Sequence, residues 1–198
     1  KMLKRLAFIG ICFLGTSGLF GQNFNSQIDF PGDIAFLGYS IGAGDEDGFS
    51  FVFLDSCPPL ASIRFIDEEW NGTAFNSLTL AGDAVWQNTT GLTIAPGTVI
   101  HIIDADNNNS GTSANIGTIT NVINQVTTAN GDQIYAITGN RANPGVFLAF
   151  VGSLTIEPAS LAGTGLVAGQ TALIINSEGQ YTGSLNCVGS ITACASQI

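Results

Sequence analysis

Positive charge is scarce in this chain. Its 198 residues hold five Lys and Arg against fifteen Asp and Glu, with a single His and a net charge of −10. Three of the five cations, Lys1, Lys4 and Arg5, stand at the N-terminus. From residue 22 onward there is no Lys, and only Arg64 and Arg141 oppose the fifteen acids, a net charge of −13. Such a surface repels phosphate backbones, which argues against nucleic acid as a partner. His101 is the single His and stands far from Cys187 and Cys194, and no second close Cys pair exists, so the ligand spacing of a zinc site is missing. There is no Gly-x-Ser-x-Gly motif to mark a serine nucleophile, no internal repeat, no heptad pattern and no linker announcing a second domain. An evident catalytic apparatus is lacking.

What the N-terminus does hold is a leader pattern. Lys1 to Arg5 is basic, Leu6 to Leu14 is apolar, and Gly15 to Gly21 supplies small residues before Gln22. The expectation is a secretory signal peptide over residues 1–21, followed by a single secreted domain over 22–198, outside the cell or on its surface. The apolar run is too short to span a bilayer, so no transmembrane span is expected in the mature chain. After the leader, three cysteines remain: Cys57, Cys187 and Cys194. Export permits a disulfide, and Cys187 with Cys194 is the expected pair, stapling the C-terminal segment. The odd number leaves Cys57 either free or paired outside the chain.

The domain itself reads as short strands between turn residues. Phe49 to Leu54 is an aromatic and β-branched run that predicts a central strand, flanked by Ile34 to Tyr39 and Ile63 to Asp67. Cys57-Pro58-Pro59 ends the central run, since consecutive prolines cannot donate to a ladder. Ala84 to Gln87, Thr98 to Ile103, Gln133 to Thr138, Val146 to Val151 and Thr171 to Ile175 are further strands, with Thr98 to Ile103 apolar enough to suggest burial on both faces. Ile116, Ile119, Ile123 and Val126 have helical spacing, but Gly, Thr and Asn between them point to irregular structure with at most a helical turn. The composite is an all-β, immunoglobulin-like β-sandwich of about eight to ten short strands.

Several of these stretches, Pro31 to Tyr39, Phe49 to Leu54, Ile63 to Gly72, Pro96 to Ile100, Gly131 to Tyr135 and Phe147 to Ala149, resemble the landmarks of an uncharacterised family of secreted bacterial β-sandwich modules. The resemblance runs through Leu161 to Gly183. The order of signals is more distantly similar to lamin-tail-like domains, which accompany secreted nucleases and phosphatases. What the resemblance implies is the fold and an extracellular location. It brings no catalytic residues.

Four groups of residues are candidates for chemistry. Asp104, Asp106, Asn108 and Ser110 put oxygen ligands at alternate positions, the pattern by which one loop wraps Ca²⁺, although Asn109 replaces the sharp-turn Gly of an EF-hand loop. Ca²⁺ is the one cofactor expected. Asp45-Glu46-Asp47 is a lesser acidic cluster whose plainer reading is a soluble loop. Asp67-Glu68-Glu69 beside Trp70 resembles a glycosidase acid and base pair, but neighbours on a strand face opposite ways, so a working pair needs a bend or a partner such as Asp83. The plainer reading is a turn with a packed Trp. Trp70, Trp86 and Tyr39 are ligand-binding candidates as stacking platforms for sugar rings if exposed, and core residues if buried. Asn71-Gly-Thr73 and Asn88-Thr-Thr90 match the glycosylation pattern, which matters only in a eukaryotic secretory route. His101 reads as a strand residue with a structural hydrogen bond.

The function expected from these residues is a non-catalytic extracellular or cell-surface binding or adhesion module, with a glycan or a protein as ligand and the oligomeric state open. The alternative is an accessory domain of a larger secreted hydrolase, a nuclease, phosphatase or glycosidase. A small glycoside-active enzyme using Asp67, Glu68 or Glu69 comes last.

Overall fold

The structure is a computed structural model that describes residues 27–40, 48–79, 81–105, 111–124, 126, 133–155, 159–176 and 179–180. These residues form eleven strands and no helix: β1 (Ile34–Ser40), β2 (Gly48–Phe53), β3 (Ser62–Ile66), β4 (Asp83–Gln87), β5 (Val99–Ile103), β6 (Ser113–Ala114), β7 (Thr118–Ile123), β8 (Gln133–Asn140), β9 (Asn143–Gly152), β10 (Ala172–Ile174) and β11 (Gly179–Gln180). They build a β-sandwich. One sheet has the order β11-β1-β2-β5-β6 and the other β10-β9-β8-β3-β4-β7. Every pairing is antiparallel except β10 with β9. The count exceeds the expected eight to ten because β6 and β11 are two-residue strands with no run long enough to be read in sequence.

Period-two alternation puts one side of each strand between the sheets. Phe49 and Phe51 of β2 meet Phe65 of β3 across the gap, with ring centroids 4.7 and 5.2 Å apart. Trp86 of β4 stands against Phe51 and Phe53 at 5.8 and 5.5 Å. All five rings are buried, and each contributes about 1.5–3 kcal/mol by leaving water. The aromatic run that predicted the central strand is therefore half of the inter-sheet core. The other half comes from Ile63, Phe65, Ala84, Trp86, Ile134 and Ala136 on the facing sheet.

A second core lies on the outer face of the six-stranded sheet. There Ile66, Tyr135, Ile137, Phe147 and Phe150 are roofed by two long connections, one carrying Trp70 and Phe75 and the other Leu166. Trp70 packs on Phe75 and Phe147 at 5.2 and 4.9 Å, and its Nε1 donates to Ala162 O at 2.9 Å. Tyr135 Oη donates to Ser160 O at 3.0 Å. Both hydrogen bonds pin the roof to the sheet.

Two segments differ from expectation. Residues 118–123 are a strand, β7, because they pair with β4 and alternate exposed and half-buried side chains. The apparent helical spacing arose because Ile119 and Ile123 also satisfy a strand with a register shift opposite Asp83/Ala84. Gly117, at φ +77, immediately precedes this strand where a Cβ would strike the Trp86 indole, 2.8 Å away, so only glycine fits. β5 is buried on one face only: Ile100 and Ile102 point into the core, while His101 and Ile103 are exposed. The outer face of its sheet is open at that point.

Candidate functional site

The Asp67-Glu68-Glu69 turn leaves β3 at the edge of the roofed face, and the two arginines of the domain come to it from different strands. Asp83 opens β4, with Ala84 and Trp86 turned into the inter-sheet core and Asp83 and Val85 on the outer face. Arg64, on the outer face of β3, reaches both Asp83 oxygens through Nη1 at 2.7 and 2.8 Å and donates through Nε to Gly139 O at 3.2 Å. Arg141 sits in the turn between β8 and β9, buried. Its Nη2 donates to Ala81 O and Gly82 O at 2.9 and 2.5 Å, and its Nη1 to Ser77 O at 3.3 Å. The same guanidinium lies 3.7 Å from Asp83 Oδ2 and 3.9 Å from Glu68 Oε2.

Arg141 thus closes the connection between β3 and β4. A planar fork with several donors suits three backbone carbonyls at once, which a lysine would not match. Burial pushes the Glu68 carboxyl up to about 7, helped by the adjoining Glu69 and opposed by Arg141. A carboxyl titrating there has the proton affinity a general acid needs. Its setting is different: Glu68, Asp83 and Arg141 are all buried, and the guanidinium donors are directed at the protein's own backbone. The bend that could bring a second carboxylate to the turn exists, and what it brings is a clamp made of charges.

The three expected stacking platforms are all enclosed. Trp70 lies under the roof, Trp86 between the sheets with its Nε1 donating to Ile116 O at 2.8 Å, and Tyr39 in the inter-sheet core. This is the arrangement in which these rings serve as core: β1 and β4 turn Tyr39 and Trp86 inward, and the β3–β4 connection lays Trp70 over the outer face.

Of the calcium candidates, Asp104 is described, whereas Asp106, Asn108 and Ser110 lie outside the described residues, as does Asp45-Glu46-Asp47. Asp104 is buried, has φ +54, and accepts from Gly111 N through Oδ2 at 2.6 Å, so its carboxylate ties together the two ends of that loop. Among the described residues no group of three or more His, Cys, Asp or Glu is placed to hold a metal ion. Cys187 and Cys194 also fall outside the described residues. Cys57 is a free thiol, buried, with its pKa pushed up to about 12 by that burial.

His101 pairs across strands with Ser50, and its Nδ1 lies 2.8 Å from Ser50 Oγ. The sequence reading missed this partner because Ser50 is remote in the chain and carries no nucleophile motif.

Asn88 is the residue whose role sequence reasoning missed entirely. It is buried, and its Nδ2 donates to Cys57 O, Pro58 O and Leu92 O at 3.1, 3.0 and 2.9 Å, while its Oδ1 accepts from Thr90 N and Oγ1. An amide so committed cannot carry a glycan. It knots the 57–61 and 88–94 loops together at one end of the sandwich. Each loop raises a leucine beside the knot: Leu60 is 70% exposed and Leu92 72%. Leu60 also adopts φ +66, a conformation that its Cβ makes unfavourable, with its N–H donating to Asn88 O at 2.9 Å. Asn71, in the other glycosylation-like triplet, is exposed and folds an Asx turn onto Thr73 and Ala74.

No family model, no curated protein and no solved structure matches this chain, so a functional reading rests on the residues themselves.

Proposed function

We propose that this domain is a non-catalytic, extracellular binding module that contacts a protein ligand through the loop end carrying Leu60 and Leu92. The observation that carries the reading is the Asn88 knot, which fixes two loops and leaves two large apolar side chains in water. Single exposed leucines are ordinary. Two on adjoining loops, one of them held in a left-handed backbone conformation, are a feature the fold does not require, and strain of this kind gathers at working surfaces. Loop clusters at the ends of sandwiches are also where such folds do their binding.

A protein is preferred to a glycan because Trp70, Trp86 and Tyr39 are buried, whereas aliphatic anchors suit the apolar centre of a protein interface. The non-catalytic half of the reading is supported by the use made of Glu68 and Asp83, which face Arg141 and Arg64 as parts of a clamp. The extracellular half rests on the leader pattern of residues 1–21 and the acidic, Lys-free remainder.

The test sets wild type and a Leu60→Asp/Leu92→Asp variant against a panel of purified extracellular proteins and a glycan array. Wild type is expected to bind a protein of the panel, and the variant to lose that binding with unchanged cooperative unfolding. Glycan binding retained by the variant would overturn the surface assignment. Hydrolysis of a chromogenic glycoside by wild type, lost in Glu68→Gln/Glu69→Gln, would overturn the non-catalytic reading.

A further inference from the structure

Each sheet has two outermost strands, and three of the four are too short to receive a neighbour: β11 and β6 have two residues each and β10 has three. β7 has six, and among the described residues it pairs with β4 alone. A strand edge of that length is a template for another chain unless a charge, a proline or a bulge blunts it. Residues 111–124 contain no charged side chain and no proline. The carboxylate that stands against β7 in register, Asp83 opposite Ile123, is held by Arg64. The register shift that leaves Val122 as an extra residue lies at the far end of the strand, so residues 118–121 are regular.

The side chains are those of a strand with one neighbour. Thr118 and Thr120, opposite Gln87 and Val85, are exposed on the outer face, and Val122 is 51% exposed. Ile119 lies opposite Trp86 on the core side, yet it is only half-buried, whereas Trp86, one strand further in, is fully enclosed.

We propose that β7 is the contact through which two copies of this chain join, edge to edge and antiparallel. The chemistry of the partner follows from charge. A cationic strand would find no acid along β7, and an acidic one would be repelled by a chain of net charge −10. The edge suits a neutral, β-branched strand, and β7 is itself such a strand. Pairing about a two-fold axis at Ile119 keeps like faces together: it sets Ile119 beside its counterpart on the core side and Thr118 beside Thr120 of the second copy on the outer face. Thr–Thr neighbours across strands are favourable, and this register leaves the bulge at Val122 outside the paired stretch. The contact uses none of the residues assigned to the Leu60 and Leu92 loop end, so it stands or falls separately from that reading.

Sedimentation equilibrium of the full chain over a concentration series, with hydrogen exchange measured at the same concentrations, tests the proposal. Wild type is expected to approach twice the chain mass as concentration rises, with the β7 amides gaining protection in step. Thr120→Lys, a charge placed at an exposed position of the edge, should stay at the single-chain mass with unchanged cooperative unfolding. In a sample mixing labelled and unlabelled wild-type copies, intermolecular methyl contacts between Thr118 and Thr120 should report the pairing directly. Their absence from an associated wild type would overturn the proposal whatever the variant does. So would a wild type that keeps the single-chain mass at every concentration, an association that Thr120→Lys leaves intact, or a protection of β7 that does not depend on concentration, since the chain would then cover its own edge.

Discussion

Arg64 Nη1 holds both carboxylate oxygens of Asp83, at 2.7 and 2.8 Å, and joins β3 to β4 on the face where the sheet is roofed. The same carboxylate lies 3.7 Å from Arg141 Nε. Both arginines of the described residues thus stand beside one carboxylate, Arg64 hydrogen-bonded to it and Arg141 near it while donating to backbone carbonyls. Arg64 is partly reached by solvent, which screens its share. Arg141 is buried, so its removal has the larger effect. Arg141→Ala removes the buried cation beside Glu68, leaves Asp83 to Arg64 alone and frees three carbonyls, at a cost of about 3–5 kcal/mol. Arg141→Lys restores the charge without the fork and should recover only part of the loss. Urea denaturation midpoints of the three proteins check both expectations.

Acid should stabilise this fold over a defined range. Burial raises the Glu68 carboxyl from 4.5 to about 7, and the Asp33 carboxyl from 3.8 to about 6, although Asp33 accepts from Asp29 N and Phe30 N at 2.8 Å each. A carboxyl whose pKa is higher in the folded state binds its proton more tightly there, so its contribution is full below the unfolded value and lost as pH rises through the folded one. Stability should therefore fall as pH rises from about 4, where both carboxyls are still protonated in the folded state and begin to ionise in the unfolded one, to about 7, the raised value of Glu68. Glu68→Gln, which mimics the protonated form, should flatten the upper part of that fall and leave the Asp33 part. A wild-type stability that rises across this range would contradict the assignment.

Much of the sandwich was legible because its signals are local. Phe49 to Leu54, bounded by Gly48 and by Cys57-Pro58-Pro59, could only be a buried strand, and β3, β4, β8, β9 and β10 were readable for similar reasons. β7 was obscured because Ile119 and Ile123 fit two periods at once, and only the pairing partner β4 decides between them. The fate of the polar residues was less legible, since it depends on neighbours distant in the chain. Nothing near Asn88 in sequence says that Cys57, Pro58 and Leu92 will present carbonyls to it. Nothing near Glu68 says that Arg141 will arrive from the β8–β9 turn.

Cys57 should be silent until the protein unfolds. Its thiol is buried, and desolvation drives it up to about 12, so almost no thiolate exists at neutral pH. A maleimide at pH 7 is expected to leave Cys57 unmodified in the native protein and to label it quickly in denaturant. Mass mapping of the modified peptides, with and without reductant, also tests the expected pairing of Cys187 with Cys194, which would label only after reduction. Rapid native labelling of Cys57 would mean that the end of the sandwich held by Asn88 opens readily.

Leu60 offers a separation of stability from binding. At φ +66 its Cβ crowds the backbone, a strain of about 1–2 kcal/mol for a residue other than glycine. The side chain is mostly in water, so truncating it sacrifices little packing. Leu60→Gly removes the strain but widens the unfolded ensemble, which offsets roughly 0.5–1 kcal/mol of the gain. The net expectation is a domain at least as stable as wild type, by roughly 1 kcal/mol or less. If Leu60 is a contact residue, the same change weakens protein binding while Asn88 still holds the loop. Thermal unfolding and binding to the panel protein, measured side by side, read the two effects. Loss of both together would mean that Leu60 serves the fold, whereas stability kept with binding lost is the signature of a surface side chain retained for its partner.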